Sequence, residues 1–295
     1  GLGRMGLPIA TRLADAGHHV TGFDPSAARS ELAREAKLSV APDAGALADS
    51  VQVLVTVLPG VTELEEVLVG QGIIDRLTTG SLWLDLTSGA PDVARPIAAR
   101  AAQSGVVSVG APMAGGPSAA GSGELRFFVG GESPAIERAR PLLETLGGDR
   151  GIDRGIEIVG PDVGDGHTAK LLANLLWFGQ VVAVTEALLL GVSLGLPVRT
   201  LRTSLAHSAG GSVFIDESVD RLLAGDYLET FGIDRCVEEL ETLVRLADGA
   251  DVPFELSTLV ARLHREALER FGAIDGELLA ARLLEQRAGV TLSEG

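Results

Sequence analysis

Lys170 is the residue of this sequence best suited to proton transfer. It is one of two lysines, and it follows Gly164-Asp165-Gly166-His167-Thr168-Ala169 and precedes a long apolar stretch over residues 171–196. If that stretch is helical, Lys170 and Asn174 lie one turn apart on one face. An amine beside a carboxamide can exchange a proton with a small polar substrate and hold it, although a surface lysine near a helix start is the alternative interpretation.

The first residues contain the pattern G-x-G-x-x-G, in Gly1-Leu2-Gly3-Arg4-Met5-Gly6. A helical stretch follows over residues 7–16, and a strand-like segment, 20–24, ends at Asp24. Such glycines permit a tight turn against a pyrophosphate, the helix N-terminus offers N–H groups, and the acid accepts a ribose hydroxyl. The pattern predicts a dinucleotide site made by the three glycines, the backbone N–H groups of Arg4 and Met5, and Asp24.

Asp24 also indicates which nicotinamide cofactor is used. A carboxylate accepts a hydrogen bond from the free 2′-hydroxyl of NAD and repels the 2′-phosphate of NADP. We therefore expect NAD. Arg29 and Arg34 lie near enough in sequence to keep NADP as the alternative.

A doubly wound sheet places a strand before its glycine turn. Residue 1 is already the first motif glycine, and losing a central strand would leave buried strand edges unpaired. We expect residues upstream of Gly1 to carry that strand.

Composition indicates a two-domain protein, because 295 residues with 46% apolar content exceed one dinucleotide-binding unit. A net charge of −16 argues against nucleic acid and anionic membranes as partners. The single cysteine, Cys236, excludes an internal disulfide and favours a cytoplasmic setting. The five histidines lack metal-ligand spacing, so we expect no metal. The expected partner is a small-molecule substrate.

Strands and helices alternate up to about residue 160. The segments that read as strands are 51–59, 81–86, 106–109, 125–129 and 156–159. From Val163 the pattern is helical, which predicts a dinucleotide-binding domain over residues 1–161 and an all-helical domain over 162–295. The apolar stretch is interrupted by polar residues and predicts a buried central helix rather than a membrane span. A second copy could supply part of its cover, in a homodimer or higher homo-oligomer.

Several motifs, taken in order, carry a family resemblance over nearly the whole chain. The chain resembles the β-hydroxyacid dehydrogenases, which include 3-hydroxyisobutyrate dehydrogenase and are related to the 6-phosphogluconate dehydrogenases. The matching segments are the glycine turn, Leu58-Pro59, Asp85-Leu86-Thr87-Ser88, Gly110-Ala111-Pro112-Met113-Ala114-Gly115-Gly116, Gly164 through Lys170 and Asn174, Ser208-Ala209-Gly210-Gly211-Ser212, and Phe231.

This resemblance implies a fold and a set of roles. The fold is α/β, a Rossmann doubly wound parallel sheet followed by an all-α C-terminal domain with a long central helix. The implied catalytic pair is Lys170, as general acid or base in hydride transfer with NAD, and Asn174. The implied cofactor contacts include Leu58, Pro59 and Thr87. The implied substrate contacts are Ser88, Ala114, Gly115, Gly116, Ser208, Ser212 and Glu238.

Departures from the family pattern bear on the substrate. Ala114 stands for a serine that binds carboxylate, Gly110 for aspartate and Ala119 for glycine, and the usual Lys-Asp pair falls on Glu238-Glu239. An anionic Glu238 in the cleft would repel a substrate carboxylate by about 1–4 kcal/mol. We therefore expect a neutral, larger or amine-bearing substrate instead of a standard small hydroxy acid. An imine or amine oxidoreductase of the imine reductase type and a non-catalytic dinucleotide-binding protein are the alternatives.

Overall fold

The computed structural model describes residues 1–147, 155–228 and 231–293. These residues form two compact units, Gly1–Lys170 (unit 1) and Leu171–Gly295 (unit 2). The sequence-based boundary at residues 161/162 stays a prediction.

Unit 1 alternates strands and helices. Its strands are β1 Thr21–Gly22, β2 Ser39–Val40, β3 Val53–Thr56, β4 Leu82–Asp85, β5 Val107–Gly110, β6 Met113–Ala114, β7 Arg126–Gly130 and β8 Ile156–Gly160. Its helices are α1 Gly6–Asp15, α2 Ala27–Glu35, α3 Ala44–Ser50, α4 Val61–Glu65, α5 Pro91–Gln103, α6 Gly116–Ser122 and α7 Ser133–Gly147, with a π turn at Glu66–Gly70 and a 3-10 turn at Ile74–Arg76. Each segment predicted to be a strand therefore overlaps one.

The main sheet of the described residues has the order β3-β4-β5-β7-β6, with β8 paired to β7. β3, β4 and β5 run parallel, with Val53 opposite Leu82 and Leu82 opposite Val107. β7 runs antiparallel to both β5 and β6, so the sheet is mixed at that side. Parallel neighbours require a long crossover whereas antiparallel ones do not, and the short strand candidates after residue 106 carried no signal of direction.

The core of unit 1 lies on both faces of β4. Leu82 and Leu84 pack with residues of α1, α6 and α7, whereas Trp83 packs on the other face with residues of α3 and α5. Because successive side chains of a strand point to opposite faces, a strand covered on both sides is apolar throughout, as Leu-Trp-Leu is here. The predicted doubly wound α/β architecture is confirmed.

Unit 2 is helical. Its elements are the greater part of α8 Val163–Ser193, then α9 Val198–Ala206, α10 Val213–Glu217, α11 Val219–Leu223, α12 Ile233–Gly249, α13 Glu255–Phe271 and α14 Leu279–Ala288. α8 ends before the predicted limit at residue 196 because Gly195 adopts a left-handed conformation, with φ of 91°, and Pro197 follows. Phe178, Val181 and Leu188 of α8 are fully buried in two cores built with α10 to α14.

The other side of α8 is exposed in the single chain, on the helix for which the sequence analysis expected a second copy to supply part of the cover. Leu176 and Leu190 retain 68% and 63% of their accessible surface, and Leu194, directly after the helix, retains 73%. By length and composition this helix could cross a membrane, and 39% of its most apolar 18-residue segment is buried. One such helix is weak evidence for a span, because core helices pass the same test.

Candidate active site

The glycine turn before α1 is closely packed backbone. A Cβ atom at Gly1 would collide with the carbonyl oxygen of Val57, and one at Gly6 with the carbonyl oxygen of Gly1. At Gly3 a Cβ atom would meet only the end of the flexible Arg29 side chain, with Nη1 2.8 Å away. Gly1 and Gly6 therefore lack a side chain because the neighbouring backbone leaves no room for one. At Gly3, the absence of a side chain leaves space through which a phosphate group could approach the backbone.

Asp24 fixes this turn to the chain after β1. Its Oδ2 accepts the Leu2 N–H at 2.8 Å and its Oδ1 the Ser26 N–H at 2.9 Å, while Arg29 Nη1 lies 3.7 Å from Oδ2. A carboxylate offers about four acceptor positions, so two hydrogen bonds leave capacity for a ribose hydroxyl. The structure thus fits the predicted dinucleotide and adds a structural role for Asp24 that the sequence did not indicate.

Thr87 and Leu58 lie together at the carboxyl ends of β4 and β3. The Leu58 N–H donates to Thr87 Oγ1 at 3.2 Å, and the Thr87 N–H donates to Oδ1 of the buried Asp85 at 3.0 Å. Thr56 Oγ1 also donates to Asp85 Oδ1, at 2.7 Å. Ligands of open α/β sheets bind at this edge, and the cofactor contacts of Leu58, Pro59 and Thr87 stay predictions.

The loop from Ala114 to Gly116 joins β6 to α6. Gly115 and Gly116 have φ of 126° and 70°, which only glycine adopts readily. A Cβ atom at Gly115 would come within 2.7 Å of the Ala119 Cβ, whereas Gly116 has open space around it. The loop therefore presents accessible backbone at Gly116.

α8 carries the predicted catalytic pair, with Lys170 at the end of unit 1 and Asn174 one turn further. The start of this helix packs directly on the sheet, because a Cβ atom at Gly166 would collide with the carbonyl oxygen of Phe128. The Gly164-x-Gly166 motif is thus explained at Gly166 by close backbone contact, while Gly164 faces the flexible Arg95 side chain.

Glu239 holds Asn174. The Asn174 Nδ2 donates to Glu239 Oε2 at 2.6 Å, and Glu239 is 6% exposed. A carboxylate only accepts hydrogen bonds, so this contact orients the amide with its nitrogen towards Glu239 and its oxygen away. Sequence reasoning named Glu238 instead. The only available signal was that Glu238 and Glu239 together replace a motif pair.

Glu238 and the two serines make local contacts. Glu238 Oε2 accepts from Arg235 Nη1 at 2.9 Å, which offsets much of the anionic charge expected of it. Ser212 caps α10 by accepting the Ile215 N–H at 3.3 Å, and Ser208 Oγ accepts the Gly210 N–H at 3.0 Å. The substrate roles of Ser88, Ser208, Ser212 and Glu238 stay predictions.

No group of three or more metal-binding side chains occurs in the described residues. Among the described histidines, His264 is fully buried, and its Nδ1 donates to the carbonyl oxygen of Val260, 2.9 Å away. Burial lowers the pKa of His264 to about 4 and raises the pKa of the Cys236 thiol. Both groups are neutral core residues near pH 7.

Two family profiles cover most of the chain. The NAD-binding domain of 6-phosphogluconate dehydrogenase matches residues 1–160, and the profile described as NAD-binding of NADP-dependent 3-hydroxyisobutyrate dehydrogenase matches residues 164–284. An NAD-dependent L-serine dehydrogenase of Pseudomonas aeruginosa is 35% identical over 72% of this chain and 69% of that protein. The 2-(hydroxymethyl)glutarate dehydrogenase of Eubacterium barkeri is 28% identical over 100% of this chain and 96% of that protein.

Solved structures share the fold. A 3-hydroxyisobutyrate dehydrogenase of Mycobacterium tuberculosis, solved with L-serine, has a TM-score of 0.85 at 24% identity and covers 96% of this chain and 97% of that one. An imine reductase variant from Myxococcus stipitatus has a TM-score of 0.64 at 20% identity and covers 96% of this chain and 97% of that one. The fold, the glycine turn and the relatives define an NAD(P)-dependent dehydrogenase acting on hydroxyl groups. The chain belongs to the β-hydroxyacid dehydrogenase family, as its motifs predicted.

Proposed function

We propose that the protein oxidises the hydroxyl group of a small β-hydroxy compound with NAD, that Lys170 is the general acid or base, and that the substrate carries an ammonium or neutral group near Glu239. The observation that carries this proposal is the arrangement on α8. Lys170 and Asn174 stand one helical turn apart, and Glu239 fixes the orientation of the Asn174 amide.

When bound, the nicotinamide supplies a hydride acceptor at C4. The alcohol becomes a carbonyl as its C–H hydrogen leaves with two electrons and its O–H proton leaves separately. Uncharged Lys170 accepts that proton and later releases it to water. A free lysine has a pKa of about 10.4, so this role requires desolvation or a neighbouring positive charge to lower it. The overall reaction converts the alcohol and NAD⁺ into the carbonyl compound, NADH and a proton.

Asn174 orients the substrate without changing the proton balance. Because its nitrogen donates to Glu239, its oxygen points to the other side of the amide. That oxygen can accept a hydrogen bond from the substrate hydroxyl or from an ammonium group.

The charge of Glu239 bears on substrate choice. A glutamate carboxylate repels a substrate carboxylate and attracts an ammonium group. Ala114 also lacks the hydroxyl of the family's serine. The relative named L-serine dehydrogenase acts, by its name, on a β-hydroxy acid with an amine, which supports an amine-bearing substrate.

NAD is the proposed cofactor because Asp24, a buried carboxylate after β1, has acceptor positions for a free ribose 2′-hydroxyl and would repel a 2′-phosphate. Arg29, 3.7 Å from Asp24, is the group that would meet a 2′-phosphate. We expect a higher kcat/KM with NAD than with NADP, and we expect Arg29→Ala to weaken NADP binding more than NAD binding in calorimetric titrations. A native preference for NADP would contradict the role given to Asp24.

The test of the catalytic role compares the chain's two lysines. Lys170→Ala should lower kcat by about 10²–10⁴-fold while the dissociation constant of the cofactor changes little, because a positioned acid contributes that much. Lys37, an exposed residue with φ of 62°, provides the control. Lys37→Asn, which suits that backbone conformation, should retain full activity. Near-native turnover of Lys170→Ala would refute the proposed role of Lys170 in proton transfer.

Substrate choice is tested with a matched pair of adjacent residues. Glu239→Gln keeps an acceptor for Asn174 and removes the charge, so we expect kcat/KM for 3-hydroxyisobutyrate to rise relative to that for L-serine. Glu238→Gln should leave the ratio unchanged, because Arg235 already pairs with Glu238. An unchanged ratio in Glu239→Gln would refute the substrate assignment and leave the Lys170 mechanism standing.

The imine reductase type is the second candidate, favoured by the shared fold. Lys170 counts against it, because those enzymes usually replace this lysine. An assay panel should therefore include cyclic imines with NADPH beside the hydroxy compounds. Turnover of imines alone would select this candidate, and turnover of none would favour a non-catalytic dinucleotide-binding protein.

We also propose that a second copy of the chain covers the exposed leucines of α8. An apolar helix face of this kind needs a partner, and monomers rarely expose such surfaces. Light scattering should give at least a dimer for the native chain and a lower mass for the Leu176→Glu, Leu190→Glu double variant. A monomeric native chain would refute this arrangement.

A further inference from the structure

His167 and Asp85 form a buried pair in unit 1. His167 Nε2 lies 3.4 Å from Asp85 Oδ2, and both side chains have no exposed surface. Neither ring nitrogen of His167 forms a hydrogen bond within the described part of the chain, so Oδ2 is the polar atom that the ring faces. Burial lowers the pKa of His167, which keeps the imidazole neutral near pH 7.

The ring occupies a slot that glycine creates. A Cβ atom at Gly89 would lie 3.2 Å from His167 Nδ1, and one at Gly110 would lie 2.9 Å from Nε2 and collide with the carbonyl oxygen of Val163. Gly110 is the position where related sequences usually have aspartate. In this chain, glycine at position 110 allows the close approach of α8 and its histidine to the end of β5.

The pair connects two parts of the proposed site. Asp85 accepts from Thr56 Oγ1 and from the N–H of Thr87, and Thr87 Oγ1 accepts from Leu58. Trp83 Nε1 donates to Thr56 Oγ1 at 3.0 Å and extends this network into the core. His167 stands in the first turns of α8, three residues before Lys170.

Beside the close packing of Gly166 on the sheet, Arg95 provides a second polar contact to this helix start, which is weaker than the buried pair. Arg95 Nε donates to Asp162 Oδ1 at 2.7 Å, and Arg95 Nη2 lies 3.4 Å from Asp165 Oδ1, but the Arg95 side chain is 46% exposed. Exposed ion pairs contribute little to holding a structure, because water screens them. Of these polar contacts, the buried histidine is thus the better candidate for fixing the helix.

We propose that His167 is a positioning residue: by facing Asp85, it fixes the first turns of α8, and with them Lys170, to the strand end that carries Thr87 and Leu58. This inference rests on the proposed function of Lys170. It assigns the contact between His167 and Asp85 a role in the geometry of proton transfer beyond the packing of a core side chain.

The experiment compares His167→Phe, which keeps a planar ring and loses the polar contact, with His167→Gln, which can donate to Asp85. His167→Phe should lower kcat by about 10–100-fold, because a displacement of about 1 Å can cost that much. The dissociation constant of NAD, measured by fluorescence, should stay within about twofold. Amide hydrogen exchange over residues 163–172 should be faster in His167→Phe, and His167→Gln should recover most of kcat and of the protection.

Two comparisons separate this role from a structural one. His264→Phe removes another buried histidine, from unit 2, and should leave kcat unchanged. In the Lys170→Ala background, His167→Phe should add no further loss of turnover, because it acts through Lys170. Equal kcat in the His167→Phe and His167→Gln variants, unchanged hydrogen exchange, or losses that multiply with Lys170→Ala would each overturn the proposal. Near-native activity of Lys170→Ala would instead refute the proposed function, and hydrogen exchange would still test the His167 contact.

Discussion

Acidification is expected to destabilise unit 2 through His264. In the folded chain burial lowers the pKa of this imidazole to about 4, from 6.5 in the unfolded chain. Because the folded pKa is the lower one, the unfolded state binds the proton first, and stability falls as pH drops from 6.5 towards 4. Each pKa unit is worth about 1.36 kcal/mol, so the loss between pH 7.5 and 5 is about 2 kcal/mol, with a limit near 3 kcal/mol.

The assay is urea unfolding at pH 7.5 and pH 5, followed by tryptophan fluorescence and circular dichroism, for the native chain and His264→Phe. Between pH 7.5 and pH 5, the free energy of unfolding of His264→Phe should fall by about 2 kcal/mol less than that of the native chain. His207 provides a matched control, because its Nδ1 contacts the carbonyl oxygen of Thr203, four residues earlier, as His264 contacts Val260, but it is exposed. His207→Phe should leave the pH dependence unchanged. If His264→Phe kept the full acid-induced loss, the reasoning from burial would be refuted.

Three further predictions concern local structure. Gly110→Ala should lower the free energy of unfolding by about 1–3 kcal/mol because its Cβ atom would collide with Val163, whereas Gly121→Ala, in open space, should cost nothing in the same denaturant titration. Tyr227→Phe should cost about 1–2 kcal/mol, since the Tyr227 hydroxyl donates to the buried Glu285 at 2.8 Å; a stability within 0.3 kcal/mol of the native value would contradict this. Cys236 should not react with a thiol reagent in the folded chain and should react once on denaturation, because burial raises the pKa of its thiol; rapid native labelling would show the contrary.

The predicted elements followed from local patterns. The glycine turn, the helix after it and the buried strands each depend on residues close together in sequence, where glycine spacing and apolar runs are informative. The direction of β7 was not predictable in this way, because a short apolar strand carries no mark of which neighbour it pairs with.

The candidate site shows the same division. Lys170 and Asn174 were identified because helical spacing alone brings residues four apart onto one face. The partner of Asn174 was not, since two adjacent glutamates occur at the matching motif position and they point in different directions on α12. Only the packing of α12 on α8 buries Glu239 against Asn174, 65 residues away, and leaves Glu238 to pair with Arg235.

The sequence by itself determined the dinucleotide-binding turn, the α/β unit followed by helices, and the family, because these depend on short motifs and periodicity. The tertiary structure decided what holds those motifs in place. Asp24 holds Leu2, Asp85 holds Thr87 and faces His167, and Gly110 makes room for that histidine. Such contacts join residues that are distant in sequence, and their selection depends on which side chains become buried together when the chain folds.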